Sequence, residues 1–183
     1  MALKATIFKA ELHVADMERN YFQNHLLTIA RHPSETDERM MVRLLAFALF
    51  ACERLEFGRG LSTGDEPALW QKDFTGAIEL WIEVGLPDER AIRKACGRAG
   101  KVVVVCYGGR GVDIWWNQNR DKFERLRNLT LINLQPASTQ ALAAIANRNM
   151  QLQSTIQAGQ MWLTVGETTV HIEPTRLLTA SNP

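Results

Sequence analysis

Apolar and polar residues alternate along "LKATIFKAELHVAD" (residues 3–16), a period of two that predicts a strand with one buried face. "NYFQNHLLTIARH" (20–32) is its predicted hairpin partner after a turn near Asp16–Arg19. The rhythm then changes. In "HPSETDERMMVRLLAFALFAC" (32–52), Met41, Leu44, Leu45, Ala48 and Cys52 fall mostly three and four apart, the stripe of an amphipathic helix. Ser34 is the predicted N-cap, with Asp37 at N3 as a short-armed capping box. "RLEFG" and "ALWQKD" read as short strands around a loop, "LSTGDEP".

"IELWIEVG" (78–85) is a strand closed by Gly85 and Pro87, and Asp88 and Glu89 then open a helix whose N-terminal dipole favours acids. Ala91, Ile92, Ala95, Cys96 and Ala99 are its predicted buried side. "KVVVVCYG" (101–108) is apolar without interruption, as in a strand covered on both faces. The strand–helix–strand unit over 77–107 is therefore expected to be a right-handed parallel crossover. Beyond it, "GVDIWWN" reads as a strand, "QNRDKFERLRN" as a polar helix, "LTLINLQ" as a strand and "PASTQALAAIANR" as a helix started by Pro136 or Ser138. "MQLQSTIQAGQMWLTVGETTVHIEP" reads as three short strands. The order predicts one α/β domain over residues 1–183, a mixed sheet flanked by helices.

Composition agrees with one packed core: 46% of the 183 residues are hydrophobic and 22% charged. No apolar stretch of about 18 residues or signal-peptide core is present, so a cytoplasmic protein without membrane contact is expected. Cys52, Cys96 and Cys106 lack metal-ligand spacing and read as buried thiols. His13, His25, His32 and His171 show no i, i+4 spacing, which leaves no zinc site. "YGGRG" lacks the lysine of a phosphate-binding loop, and of Trp115 and Trp116 at most one could stack on a base.

The net charge of +1 conceals an asymmetry. Residues 1–89 carry 9 Lys/Arg against 15 Asp/Glu, and residues 90–127 carry 10 against 3. Such a division fits a cation site beside a polyanion surface, or two halves that neutralise each other. The basic candidates for nucleic-acid contact are Arg90, Arg93, Arg98 and Arg110, with Arg120 and Arg127 beyond them.

The strand at 78–84 raises the sharpest question. Ile78, Leu80, Ile82 and Val84 point one way, and Glu79, Trp81 and Glu83 the other. At about 3.3 Å per residue the two acids stand about 13 Å apart, too far to share a cation. Glu83, next to the strand's end, is the candidate; Glu79 reads as solvated or arginine-paired.

The element order α-β-β-β-α-β resembles the core of the PD-(D/E)XK nuclease superfamily. "ARHPSETDERMMVRLLAFAL", "DEPALWQKDFTGAIELWIEVGLPDERAIRKACGRA" and "WLTVGETTVHIEPTRL" resemble the YaeQ family along essentially the whole chain. The superfamily resemblance implies acids that hold a divalent cation, Mg or Mn, which activates water against a phosphodiester. The first acid matches Asp65 or Glu66, because Ala68 offers no ligand; the second matches Glu83. Gly85 stands where the motif lysine is expected, which makes Lys94 the nearest displaced candidate and Lys72 a weaker one. Glu38, within about 50° of the apolar stripe of its helix, is a candidate metal ligand. Asp73, in the turn "KDFTG", is an accessory candidate that also reads as an Asx-turn residue. The expectation is a monomeric, metal-dependent nuclease-like protein acting on nucleic acid. Its rival is a catalytically degenerate relative that keeps the fold as a nucleic-acid or protein binding module.

Overall fold

Two sheets, with a helix between them, stand where the alternation pattern predicts one mixed sheet. The computed structural model describes residues 4–59 and 65–181. Strands β1 (Thr6–Asp16) and β2 (Tyr21–Arg31) form the expected hairpin, paired without a register shift from Thr6↔Arg31 to Asp16↔Tyr21. Asp16 Oδ1 accepts the backbone N–H groups of Glu18 and Arg19, each at 3.0 Å, and so closes the turn. The far side of β1 pairs in parallel with β8 (Asn149–Gln157), followed by β9 (Gln160–Val165) and β10 (Thr168–Ile172). The first sheet thus runs β10-β9-β8-β1-β2.

Helix α1 (Asp37–Phe50) is capped by Thr36, whose side chain accepts from Arg39 N, rather than by Ser34. It ends before Cys52, which lies outside the stripe predicted for it. Every residue from Met40 to Ala48 is buried, because α1 lies between two sheets and has no solvent face over that span.

The second sheet holds β3 (Leu55–Phe57), β4 (Leu69–Lys72), β5 (Ile78–Val84), β6 (Ala99–Cys106), β7 (Leu129–Asn133) and β11 (Thr175–Leu178), in the order β11-β7-β6-β5-β4-β3. Strands β5 and β6 are adjacent and parallel, joined by α2 (Glu89–Arg98), as the sequence predicts. Asp88 caps α2 by accepting Ala91 N at 2.8 Å.

The segment read as a strand, "GVDIWWN", instead belongs to α3 (Arg110–Phe123). Its apolar positions Val112, Trp115, Trp116 and Phe123 fall on one helical face and close the second core over Val102, Val104, Leu129 and Leu131. Trp115 spends its indole N–H on Pro87 O at 2.9 Å. Helix α4 (Pro136–Ala144) completes the main core with Thr139 and Leu142 fully buried.

Leu80, Ile82 and Val84 of β5 face α1 in the main core, and Trp81 faces the α2–α3 layer. Alternation thus delivers Glu83 to the α2 side at the sheet's C-terminal edge. No helix among the described residues is long and apolar enough to cross a membrane.

Candidate functional site

Glu83 enters the structure already bonded. Trp81 lies two residues before it on the same strand face, and its Nε1 donates to Glu83 Oε1 at 3.0 Å. Burial pushes the Glu83 carboxyl above the usual range; the Trp81 bond, the positive charge of Arg39 and the Ala68 backbone N–H pull the other way without cancelling it. Strand β4 pairs Leu69 with Ile82, so the chain running back from Leu69 brings Ala68 beside Glu83. That is where the superfamily resemblance implies a second carboxylate, and alanine has none.

The remaining acids of the predicted constellation are each engaged elsewhere. Glu66 Oε2 accepts Arg59 N at 3.0 Å, with Arg59 Nε 3.8 Å from Oε1. The chain entering β4 is fixed beside β3 by Gly58, whose N–H donates to Ala68 O at 3.0 Å. A Cβ at Gly58 would fall 1.9 Å from Pro67 O, so the approach requires glycine. Glu38, in the first turn of α1, accepts from Thr139 Oγ1 of α4 at 2.7 Å. Asp73 Oδ1 accepts from Thr75 N, Thr75 Oγ1 and Ala77 N, which holds its carboxyl below the usual range and matches the Asx-turn reading. Glu79, which the sequence sets outside that constellation as solvated or arginine-paired, is paired with Arg54 at 2.8 Å and accepts from Gln71 Nε2 at 2.7 Å.

Asp65 and Lys94 do meet. Lys94 Nζ donates to Asp65 Oδ1 at 2.7 Å across two exposed side chains, and this contact lowers the Asp65 pKa. Arg98 Nη1 donates to the Asp65 carbonyl at 3.1 Å, and the Arg98 guanidinium lies 5.1 Å over the Trp81 ring. A chain of contacts thus runs from Lys94 through Asp65, Arg98 and Trp81 to Glu83, with neutral and cationic groups standing between the acids.

Four residues of this region were not singled out from sequence. Glu35 and Arg43 are each 1% exposed in their side chains and form a two-point pair, Nε–Oε1 at 2.8 Å and Nη2–Oε2 at 2.7 Å. Arg39 Nη1 adds a third bond to Glu35 Oε1 at 2.7 Å. The available signal was Arg43 itself, a charge inside "MMVRLLAFALF". Tyr107, at the exit of β6, has its hydroxyl pKa raised mainly by burial; it feels Arg39, Glu38 and Glu35 together, so these groups share one end of the sheet.

This donor set does not fit a divalent cation. Among the described residues no three His, Cys, Asp or Glu side chains gather where they could hold a metal, and Glu66, Glu38 and Asp65 are turned to separate partners.

The basic stretch is arranged differently. Arg90, Arg93 and Arg98 on α2, Arg110 and Arg120 on α3, and Arg127 after it are all exposed. Helices α2 and α3 cover the same face of the second sheet. Arg93 is 3.5 Å from Glu89 and Arg120 is 2.8 Å from Glu124. Among the described residues Arg90, Arg98, Arg110 and Arg127 have no carboxylate within ion-pair distance.

A family model described as YaeQ protein matches residues 1–174. YaeQ of Salmonella typhi is 49% identical over 175 residues, covering 96% of this chain and 97% of that protein. YaeQ of Escherichia coli K12 is 52% identical over 163 residues, covering 89% and 90%. The crystal structure of YaeQ from Xanthomonas axonopodis pv. citri superposes with a TM-score of 0.93 at 49% identity, covering 96% of this chain and 99% of that one. The YaeQ structure from Pseudomonas syringae gives 0.92 at 33% identity, covering 97% and 98%. Matched along nearly its whole length in sequence and in fold, the chain belongs to the YaeQ family.

Proposed function

We propose that this protein is a nucleic-acid binding module, a catalytically degenerate relative of the PD-(D/E)XK nucleases that reads the phosphate backbone through the α2–α3 layer. The observation that carries the reading is the set of exposed arginines without carboxylate partners on the two helices that cover one face of the second sheet, Arg90 and Arg98 of α2 and Arg110 of α3. Arginine's planar fork suits phosphate oxygens, and cations without a carboxylate partner keep a net charge available for a polyanion, Arg98 included although it also touches the Asp65 carbonyl and the Trp81 ring. The alanine beside Glu83 and the separate engagements of Glu38 and Glu66 support binding over cleavage.

The experiment is fluorescence anisotropy on labelled single- and double-stranded DNA and RNA in EDTA, across a salt series. Binding without divalent ions that weakens steeply with salt supports the reading. Binding that requires Mg or Mn, or none at low salt, overturns it. The second reading, a metal-dependent nuclease, is favoured by the contact of Asp65 with Lys94, an acid and a lysine the superfamily resemblance implies. Cleavage of the same oligonucleotides in Mg or Mn, lost in Lys94→Ala and Glu83→Gln, would establish it.

A further inference from the structure

The interlayer space changes character where α1 stops. Between the sheets α1 fills the gap with apolar side chains, but its last turn ends at Phe50 while both sheets continue. What remains is a cleft of about 480 Å³, within the range of about 300–1,000 Å³ usual for small-molecule sites. Leu49 and Phe50 of α1, Ile156 of β8, Ile132 of β7 and Pro174 form its apolar wall.

Its charged groups divide into committed and uncommitted ones. Asp16 Oδ2 receives Arg19 Nε at 2.6 Å, Arg19 Nη1 donates to Ala51 O at 2.8 Å, and Glu18 Oε1 receives Gly159 N at 2.6 Å. Both acids of the cleft, and one of its three cations, are therefore already bonded. Lys101 and Arg176 also line it, both exposed, and among the described residues neither has a carboxylate within ion-pair distance. Lys101 shares the strand face of Val103 and Val105, which looks toward the main core, and Arg176 pairs across β11–β7 with Ile132. An apolar wall beside two cations without ion-pair partners, which outnumber Glu18, the one acid likewise without a cation of its own, matches a ligand with an apolar body and an anionic head.

We infer that this cleft binds a small amphipathic organic anion, an acyl carboxylate or alkyl phosphate, with its chain along Leu49, Phe50, Ile132 and Ile156 and its head held by Lys101 and Arg176. The site lies beyond the C-terminal end of α1, while the proposed nucleic-acid surface is on α2 and α3, and it stands or falls independently of that surface.

Calorimetry on the full chain with hexanoate, octanoate, octyl phosphate and octanol tests it. Octanoate binds one per chain, about fourfold tighter than hexanoate for each added methylene. Octanol binds at least about tenfold more weakly than octanoate, because it cannot use the cations. The Lys101→Gln, Arg176→Gln double variant lowers octanoate affinity to that of octanol and leaves the ligand-free melting temperature unchanged, since both side chains are exposed. Octyl phosphate binding more tightly than octanoate assigns the head as phosphate; the reverse order assigns carboxylate. Methyl NMR places the ligand without any variant: octanoate shifts the Ile132 and Ile156 methyl signals. Absence of octanoate binding, equal binding of octanol, undiminished binding by the double variant, or methyl shifts confined elsewhere each overturns the proposal.

Discussion

Trp81 and Glu83 are hydrogen-bonded along one face of β5, indole N–H to carboxylate at 3.0 Å, and this bond gives Glu83 a structural partner without a cation. The raised pKa sets the pH dependence. A carboxyl whose folded pKa lies above its unfolded value, about 4.3, contributes stability that is fully present below the unfolded pKa. That contribution is lost as pH rises through the folded pKa. Glu83→Gln keeps an oxygen for Trp81 and removes the ionisation, so it should melt at or above the wild type at pH 7, with the difference shrinking toward pH 4. Trp81→Phe should cost about 1–3 kcal/mol at pH 7, because it leaves a buried acceptor unpaired, and less at pH 4. Thermal melts from pH 4 to 8 read both; a Glu83→Gln protein less stable at pH 7 than at pH 4, relative to the wild type, contradicts this account.

The pattern of the chain made some of this legible and not the rest. The β5–α2–β6 unit could be read because an uninterrupted apolar strand, Gly85, Pro87 and an acidic helix start all act locally. Segment "GVDIWWN" was misread because Val112, Ile114 and Trp116 also alternate; extending the window to Phe123 restores the helical spacing. Division of the strands into two sheets rests on β1 pairing with β8 across most of the sequence, and alternation carries no information about which strands become neighbours. The candidate site was half legible for the same reason. Strand alternation placed Glu83, but the bonds of Glu38 to Thr139 and of Glu66 to Arg59 join separate elements, and no spacing announces them.

Among the described residues the Glu35–Arg43 pair is the most deeply buried ion pair. Arg43→Met should destabilise by about 3–5 kcal/mol, because it leaves Glu35 with Arg39 alone in a low-dielectric site and the Ala30 carbonyl without its donor. Replacing both charges, Glu35→Leu with Arg43→Met, should recover much of that loss, since the desolvation of both ions disappears together. Urea denaturation of the two proteins decides it. A double variant as unstable as the single one would show that the loss comes from packing around Phe57, over which Arg43 lies, rather than from an orphaned charge.

Asp65 and Lys94 are exposed, and solvent screening leaves such a pair with little effect on stability. Lys94→Ala should therefore leave the melting temperature nearly unchanged, and any small effect should fade in high salt. If the acids near Glu83 hold no cation, magnesium and manganese at millimolar levels should leave the melting temperatures of wild type and Glu83→Gln unchanged. A stabilisation by either ion that vanishes in Glu83→Gln would establish a metal site there and favour the nuclease reading.

The arginines of the α2–α3 layer give the most direct test of binding. Each phosphate neutralised releases counterions, so the log–log slope of affinity against salt falls by about 0.9 per contact on duplex DNA. Arg90→Gln, Arg98→Gln and Arg110→Gln together should make that slope shallower by about 3 and weaken binding alike on all sequences, because backbone contacts carry no base information. Arg148→Gln, located just before β8 of the first sheet, should leave the slope unchanged. Arg98 differs from the other two in lying over Trp81 and donating to the Asp65 carbonyl, so its single variant should also lower the melting temperature, while Arg90→Gln and Arg110→Gln should not. Equal slopes for wild type and triple variant would remove nucleic acid as the partner of this face.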